Sequence, residues 1–177
     1  MEIKSFECSY LEDVKKLLKA AFYRENSNAV LNEWEFAETV LQDAGYKPYL
    51  CLIAVEKDEV IGYNILTAAA IGEQKGLALG PLAVKKECQN KGIGTRLVRE
   101  SIQRAQESGY PWIAVLGGDY YSRFGFKAGR LYGITVSDNA FENNHIQILF
   151  LNRSTESRVS GKIIYCNSFY DSNGNLL

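Results

Sequence analysis

The chain has 177 residues, 46% hydrophobic and 23% charged, with 15 Gly and only 3 Pro; this is the profile of one ordinary globular domain with a sizeable core, not of a disordered or fibrous chain. Lys and Arg total 20 against 21 Asp and Glu, for a formal net charge of -1, so nothing offers nucleic acid the clustered cations that displace its counterions. The N-terminus, Met1 to Glu7, mixes charge with isolated apolar residues and lacks a signal core, and no apolar run nears the roughly 18 residues that span a bilayer. Neither nucleic acid nor membrane is therefore an expected partner.

Ile3 to Cys8 is predicted as an opening strand. Val14, Leu17, Leu18, Ala21 and Phe22 then recur at helical spacing, opposite Lys15, Lys16 and Lys19. Asn28 is a candidate N-cap for a second helix carrying Val30, Leu31, Trp34, Ala37, Val40 and Leu41, with Gly45 expected to end it and Pro48 to prevent its resumption. Tyr49–Val55 and Val60–Ile71 are apolar runs around the polar Glu56–Glu59 and predict a β-hairpin. A second turn is expected at Gln74-Lys75-Gly76, with a third strand from Leu77 to Val84. A glycine-bearing loop, Lys85–Gly92, opens a long helix that buries Leu97, Val98, Ile102 and Ala105 and stops at Gly109. Trp112–Leu116 is a short buried strand, Asp119–Phe124 a short helix and Ile146–Leu151 a late strand. Lys162–Cys166 returns as a strand, and polar Asp171–Asn175 is expected to fray. The fold class is α+β: a mostly antiparallel meander with one strand–helix–strand crossover. Cys8, Cys51, Cys88 and Cys166 match no metal-ligand spacing, so no metal is expected, and their scatter points to free thiols in a reducing, cytoplasmic location.

The chemistry concentrates in Leu79-Gly80-Pro81-Leu82-Ala83-Val84 and the Gln89-Asn90-Lys91-Gly92-Ile93-Gly94-Thr95 that follows. Two glycines let the backbone come close to a ligand, and free N–H groups from Asn90 to Thr95 at a helix N-terminus suit an anion. Lys85, Lys86, Lys91 and Arg96 surround the loop, although such cations more often form a solvated face. A Walker loop would need Gly-Lys-Ser/Thr where Gly94-Thr95-Arg96 stands. A dinucleotide fingerprint would need a third glycine at Leu97.

Gln89-x-x-Gly92-x-Gly94, placed after Leu-Ala-Val and before a helix, resembles the pyrophosphate motif of GNAT acetyltransferases. Tyr120-Tyr121-Ser122-Arg123-Phe124-Gly125-Phe126 is similar to that family's tyrosine-bearing helix. The resemblance spans about residues 1–151 in element order and is motif-specific over 79–126. It implies a single N-acetyltransferase domain over 1–177, with a core to about residue 151 and 152–177 as a C-terminal extension. It also implies a mixed, mostly antiparallel sheet flanked by helices, and acetyl-CoA as cosubstrate. Leu82, Ala83 and Val84 would hold the pantetheine arm and thioester through their backbone, and Gln89, Asn90, Lys91, Gly92, Ile93, Gly94 and Thr95 the pyrophosphate. Tyr121, four residues before Gly125, would be the general acid; Tyr120 lies about 100° away on a helix. Some relatives use a glutamate on the preceding strand as base, but Gln74–Val84 has no acidic residue. Glu25, Glu33, Glu35 and Glu73 are the alternatives, along with water or an amine that arrives neutral. Cys88 has no histidine beside it and reads as a passive thiol; His145, the only histidine, reads as structural or exposed. The expected partner is a small-molecule or peptide amine, on a monomer or homodimer. An acyl-CoA sensor without turnover is the alternative.

Overall fold

A computed structural model describes residues 1–23, 33–137, 140–174 and 176, the side chains of 140–142 excepted. Strand β1 (Glu2–Ser5) leads through a tight turn at Cys8–Tyr10 into helix α1 (Leu11–Phe22). Cys8 thus lies outside the opening strand. Helix α2 (Glu33–Thr39) continues as a 3-10 turn, Val40–Gln42; Asn28, Val30 and Leu31 fall outside the described residues. Lys15 of α1 pairs with Glu38 of α2 at 2.7 Å. The helical segment ends before Gly45, whose role is close packing: a Cβ there would overlap that of Cys166.

Strands β2 (Cys51–Glu56), β3 (Glu59–Ile71) and β4 (Gln74–Val84) form the meander. Lys57 and Asp58 join the first pair with φ of 51° and 63°, the doubly left-handed backbone that a type I′ hairpin turn requires. The second turn is Gly72-Glu73, not Gln74–Gly76. Those three residues already belong to β4, and Gly76 lies against the Trp112 ring where no Cβ would fit. Helix α3 (Ile93–Glu107) crosses over to β5 (Trp112–Leu116), a 3-10 helix covers Asp119–Phe124, and β6 (Lys127–Ala128) and β7 (Ile134–Thr135) follow. Helix α4 (Ala140–His145), β8 (Ile146–Phe150) and β9 (Gly161–Tyr165) complete the chain. Beyond β9, Asp171–Gly174 does not simply trail away, since Tyr170 and Leu176 form a bridge; Asn175 lies outside the described residues.

The main sheet runs β1-β2-β3-β4-β5-β8-β6, with β9 joined to β3 and β7 to β9. β4 and β5 are parallel because α3 carries the chain across between them. The other pairs along that path are antiparallel.

Both faces of the sheet are covered, which explains the continuous apolar runs. Along β2, Ile53 joins Val14, Leu18, Phe36 and Val40 under α1 and α2, whereas Leu52 and Ala54 pack with Leu97 of α3. Fully burying one such aliphatic side chain is worth about 1.5–3 kcal/mol. α3 is further pinned by a buried hydrogen bond from the Asn64 amide to the Ser101 hydroxyl, 2.7 Å.

Candidate active site

β4 is bulged and then parts from β5. Its register against β3 shifts between Asn64↔Leu82 and Leu66↔Leu79, which leaves Gly80-Pro81 in the irregularity. Pro81 has no N–H to give to a ladder. Pairing with β5 ends at Leu79↔Val115, while pairing with β3 runs on to Val84. The Lys85 N–H donates to the Ile61 carbonyl at 2.9 Å, so by strand alternation Ala83 turns its backbone groups toward β3. Leu82 and Val84 turn theirs away, toward the gap that β5 has left.

At the end of that gap lies the loop. A 3-10 turn over Lys86–Cys88 redirects the chain, and the Gln89 side-chain amide donates to the Val84 carbonyl at 3.1 Å, bracing the loop on the strand. Asn90 and Gly92 follow with φ of 60° and 79°. Glycine is the residue that adopts this backbone without cost, and a Cβ at Gly92 would project into open space. Gly92 caps α3, so the first-turn N–H groups of Ile93, Gly94 and Thr95 have no intrahelical acceptor. Gly94 is small for a different reason: a Cβ there would come 3.0 Å from the Tyr120 hydroxyl. The result is an open groove of about 570 Å³, walled by Leu82, Gln89, Asn90, Gly92 to Thr95, Tyr120 and Arg123.

Leu82 also lines a second, more apolar cavity of about 320 Å³, together with Gly80, Pro81, Val115, Leu116 and Tyr121. The two adjacent tyrosines therefore diverge. Tyr120 faces the loop groove with the Arg123 guanidinium 4.7 Å above its ring. Tyr121 faces the inner cavity, packed edge-on against Tyr120 and Phe126. Burial, and then the neighbouring Tyr120, push the Tyr121 phenol up to about 12, which keeps it protonated at neutral pH.

The far wall of this cavity comes from Phe22, Glu33 and Phe36 on the helical side and from Tyr165, Ser168 and Phe169 near the C-terminus. Asp43 bolts the two together, accepting hydrogen bonds from the Ser168 N–H (2.7 Å), the Ser168 hydroxyl (2.8 Å) and the Gly45 N–H (2.6 Å). Partial burial raises the Asp43 carboxyl, but the donors from Gly45 and Ser168 outweigh it and hold the group below its ordinary value.

Of the residues singled out in the sequence, Leu82, Val84, Gln89, Asn90, Gly92, Ile93, Gly94 and Thr95 converge on the loop groove. The Ala83 side chain is buried with the α1 cluster, and Lys91 is exposed without lining the groove. Lys85 is paired with Glu59, so it is not a free cation over the loop. Cys88 lines the groove, and His145 ends α4, its carbonyl accepting the Gly117 N–H at 3.0 Å. Of the four alternative carboxylates, Glu33 lines the inner cavity, Glu35 and Glu73 are exposed elsewhere, and Glu25 lies outside the described residues. The aromatic far wall and the Asp43 bolt carried no motif. Among the described residues no group of three or more His, Cys, Asp or Glu could hold a metal ion, and no helix is long and apolar enough to cross a membrane.

The fold has close counterparts. The GNAT family N-acetyltransferase YhbS of Escherichia coli, solved in complex with CoA, superposes with a TM-score of 0.84 at 24% identity, covering 95% of this chain and 91% of that one. A GNAT family acetyltransferase from Brucella melitensis, solved in complex with acetyl-CoA, gives a TM-score of 0.76 at 24% identity over 95% and 97% of the two chains. In sequence, 100 residues are 34% identical to the uncharacterized N-acetyltransferase YjhQ of E. coli (strain K12), covering 54% of this chain and 55% of that protein. The chain thus spans about half the length of the curated relative it matches. The Acetyltransferase (GNAT) family itself matches residues 11–126, from α1 through the parted strands, the loop and both tyrosines, and the chain belongs to that family.

Proposed function

We propose that the chain transfers an acetyl group from acetyl-CoA to a primary amine, both held at once in the gap between β4 and β5. The observation that carries this reading is that Leu82 lines the loop groove and the inner cavity alike, so one ligand can reach from anion cradle to Tyr121. The first-turn N–H groups of α3 and the left-handed backbone at Asn90 and Gly92 suit a pyrophosphate. The Leu82 edge groups and the Val84 N–H, which β5 leaves without a strand partner, suit an extended amide-bearing arm, and the two N–H groups suit a carbonyl oxygen that gains charge. Removing one such donor costs about 2.7–4 kcal/mol in a well-studied enzyme.

In this reading the amine nitrogen bonds to the thioester carbon, the carbon–sulfur bond breaks, and the Tyr121 hydroxyl gives its proton to the sulfur. The nitrogen gives up a proton to cavity water, which restores Tyr121. The apolar walls exclude bulk water and so limit competing hydrolysis. The test is calorimetric titration with acetyl-CoA and CoA, followed by thiol release across an amine panel. Micromolar binding with amine-dependent thiol release is the expected result. Binding without release under any amine would favour a sensor, and absence of binding would sink both.

A further inference from the structure

The inner cavity has an electrostatic asymmetry. Among the described residues that line it, Glu33 is the one charged side chain. Its carboxylate has no hydrogen bond or ion pair with another described residue. The same cavity is lined by Phe22, Phe36, Phe169, Tyr165 and Tyr121. A carboxylate that shares a cavity with apolar walls gains from a cation that enters beside it. Aromatic faces also attract an ammonium group and accept a hydrocarbon or aromatic body. Among the described lining residues a second ammonium would find no second carboxylate, and it would meet phenylalanine instead. The volume of about 320 Å³ sits near the lower end of ligand pockets, which run from about 300 to 1,000 Å³.

Building on the acetyl-transfer reading, we propose that the acceptor is a monocation, a primary amine on a compact apolar or aromatic body, and that Glu33 selects it by receiving its ammonium group, which gives one proton to cavity water before the free amine attacks the thioester. Polyamines, aminoglycoside-like polycations and extended peptides fit this cavity poorly on charge and on size.

The test uses the full chain at saturating acetyl-CoA, with thiol release measured for 2-phenylethylamine, 1,5-diaminopentane, spermidine, a tetrapeptide, and aniline, which is uncharged at neutral pH. The expected kcat/KM for 2-phenylethylamine exceeds those of the polyamines and the peptide at least tenfold. Glu33→Gln is expected to raise the KM for 2-phenylethylamine about tenfold and to leave both aniline transfer and calorimetric acetyl-CoA affinity unchanged. Glu33→Asp should restore part of the loss. Preference for a diamine, spermidine or the peptide overturns the proposal. So does an unchanged 2-phenylethylamine KM in Glu33→Gln, an equal effect on aniline, or a protein that binds acetyl-CoA yet turns over none of these amines. Failure of the wild-type chain to bind acetyl-CoA overturns the acetyl-transfer reading itself, and this proposal with it.

Discussion

The two ends of the gap between β4 and β5 are built on opposite plans. The loop end is made of backbone: a bulge at Gly80-Pro81, left-handed residues at Asn90 and Gly92, and the first turn of α3, all within one stretch of chain. The inner end is made of side chains that meet only in the fold, Phe22, Glu33 and Phe36 from α1 and α2 and Tyr165, Ser168 and Phe169 from the end of β9 and the turn beyond it. A backbone site tolerates side-chain change but not a change of conformation. A side-chain site can be altered residue by residue while the other end stays as it is. Perturbing each end should therefore separate cofactor affinity from acceptor handling.

The largest effect is expected where the two ends meet. Tyr121→Phe keeps the ring against Tyr120 and Phe126 but removes the proton, so kcat should fall by about 100-fold or more, as general-acid contributions do, with calorimetric CoA affinity unchanged. Tyr120→Phe should leave kcat nearly intact. Because burial raises the Tyr121 phenol to about 12, no loss of rate from its ionisation should appear as pH passes ~10, the ordinary phenol value. Equal losses in the two variants would erase the distinction between the tyrosines.

Next, Gly92→Val forces a β-branched residue to φ 79° and fills the open groove. Left-handed backbone alone costs about 1–2 kcal/mol, so CoA affinity should weaken at least about tenfold while acceptor selectivity among residual turnovers stays the same. A folded Gly92→Val protein with wild-type affinity would remove the loop from the cofactor site.

Smaller again is Asp43→Asn, which weakens the bolt to Ser168. Three hydrogen bonds to a charged acceptor are at stake, but the site is only half-buried, so a loss of about 1 kcal/mol is expected. That corresponds to a Tm lower by about 2–4 °C for a chain of this size, with a raised acceptor KM and unchanged CoA affinity. The sign with pH follows from the lowered carboxyl. Its stabilisation is present above the unfolded value near 3.9 and fades as pH falls through the folded one. The gap between wild type and Asp43→Asn should thus close in acid. A gap that widens in acid would contradict the bolt.

The mildest test uses thiols. Exposed Cys8 should react quickly, while Cys51 and Cys166, pushed by burial up to about 12 and about 11, should react only on unfolding. Cys88, which lines the loop groove, should be shielded by CoA while Cys8 is not. A Cys88 thiol equally reactive with and without CoA would detach it from the groove.

The same contrast explains what could be read in the sequence. Gln89-x-x-Gly92-x-Gly94 and the Tyr121–Gly125 spacing are local, so the loop and the helix after it were legible, as were α1, β5 and the hairpin of β2 and β3. Gln74-Lys75-Gly76 misled because a polar, glycine-bearing triplet looks like a turn; only the fold reveals the Trp112 ring that demands a glycine in a strand. Gly45 misled in the same way, its missing side chain answering to Cys166. β6 and β7, of two residues each, are too short to carry a period. Of the far wall of the inner cavity only Glu33 was singled out in the sequence as a candidate site residue, because Glu33 and Phe169 lie far apart in the chain and share no motif.

The placement of β9 has one more consequence. β2 leaves β3 after the Cys51↔Ile65 pair, and β9 takes up the vacated edge at Ala69, Ala70 and Ile71. A chain cut after Leu151 would keep every residue matched by the family yet expose that stretch of edge, with Ile163 and Val159 gone from the cluster around Trp112. Bare, apolar strand edges recruit other chains, so such a truncation should self-associate rather than persist as a smaller enzyme. β9 thus covers that edge as well as placing Tyr165 in the wall of the inner cavity.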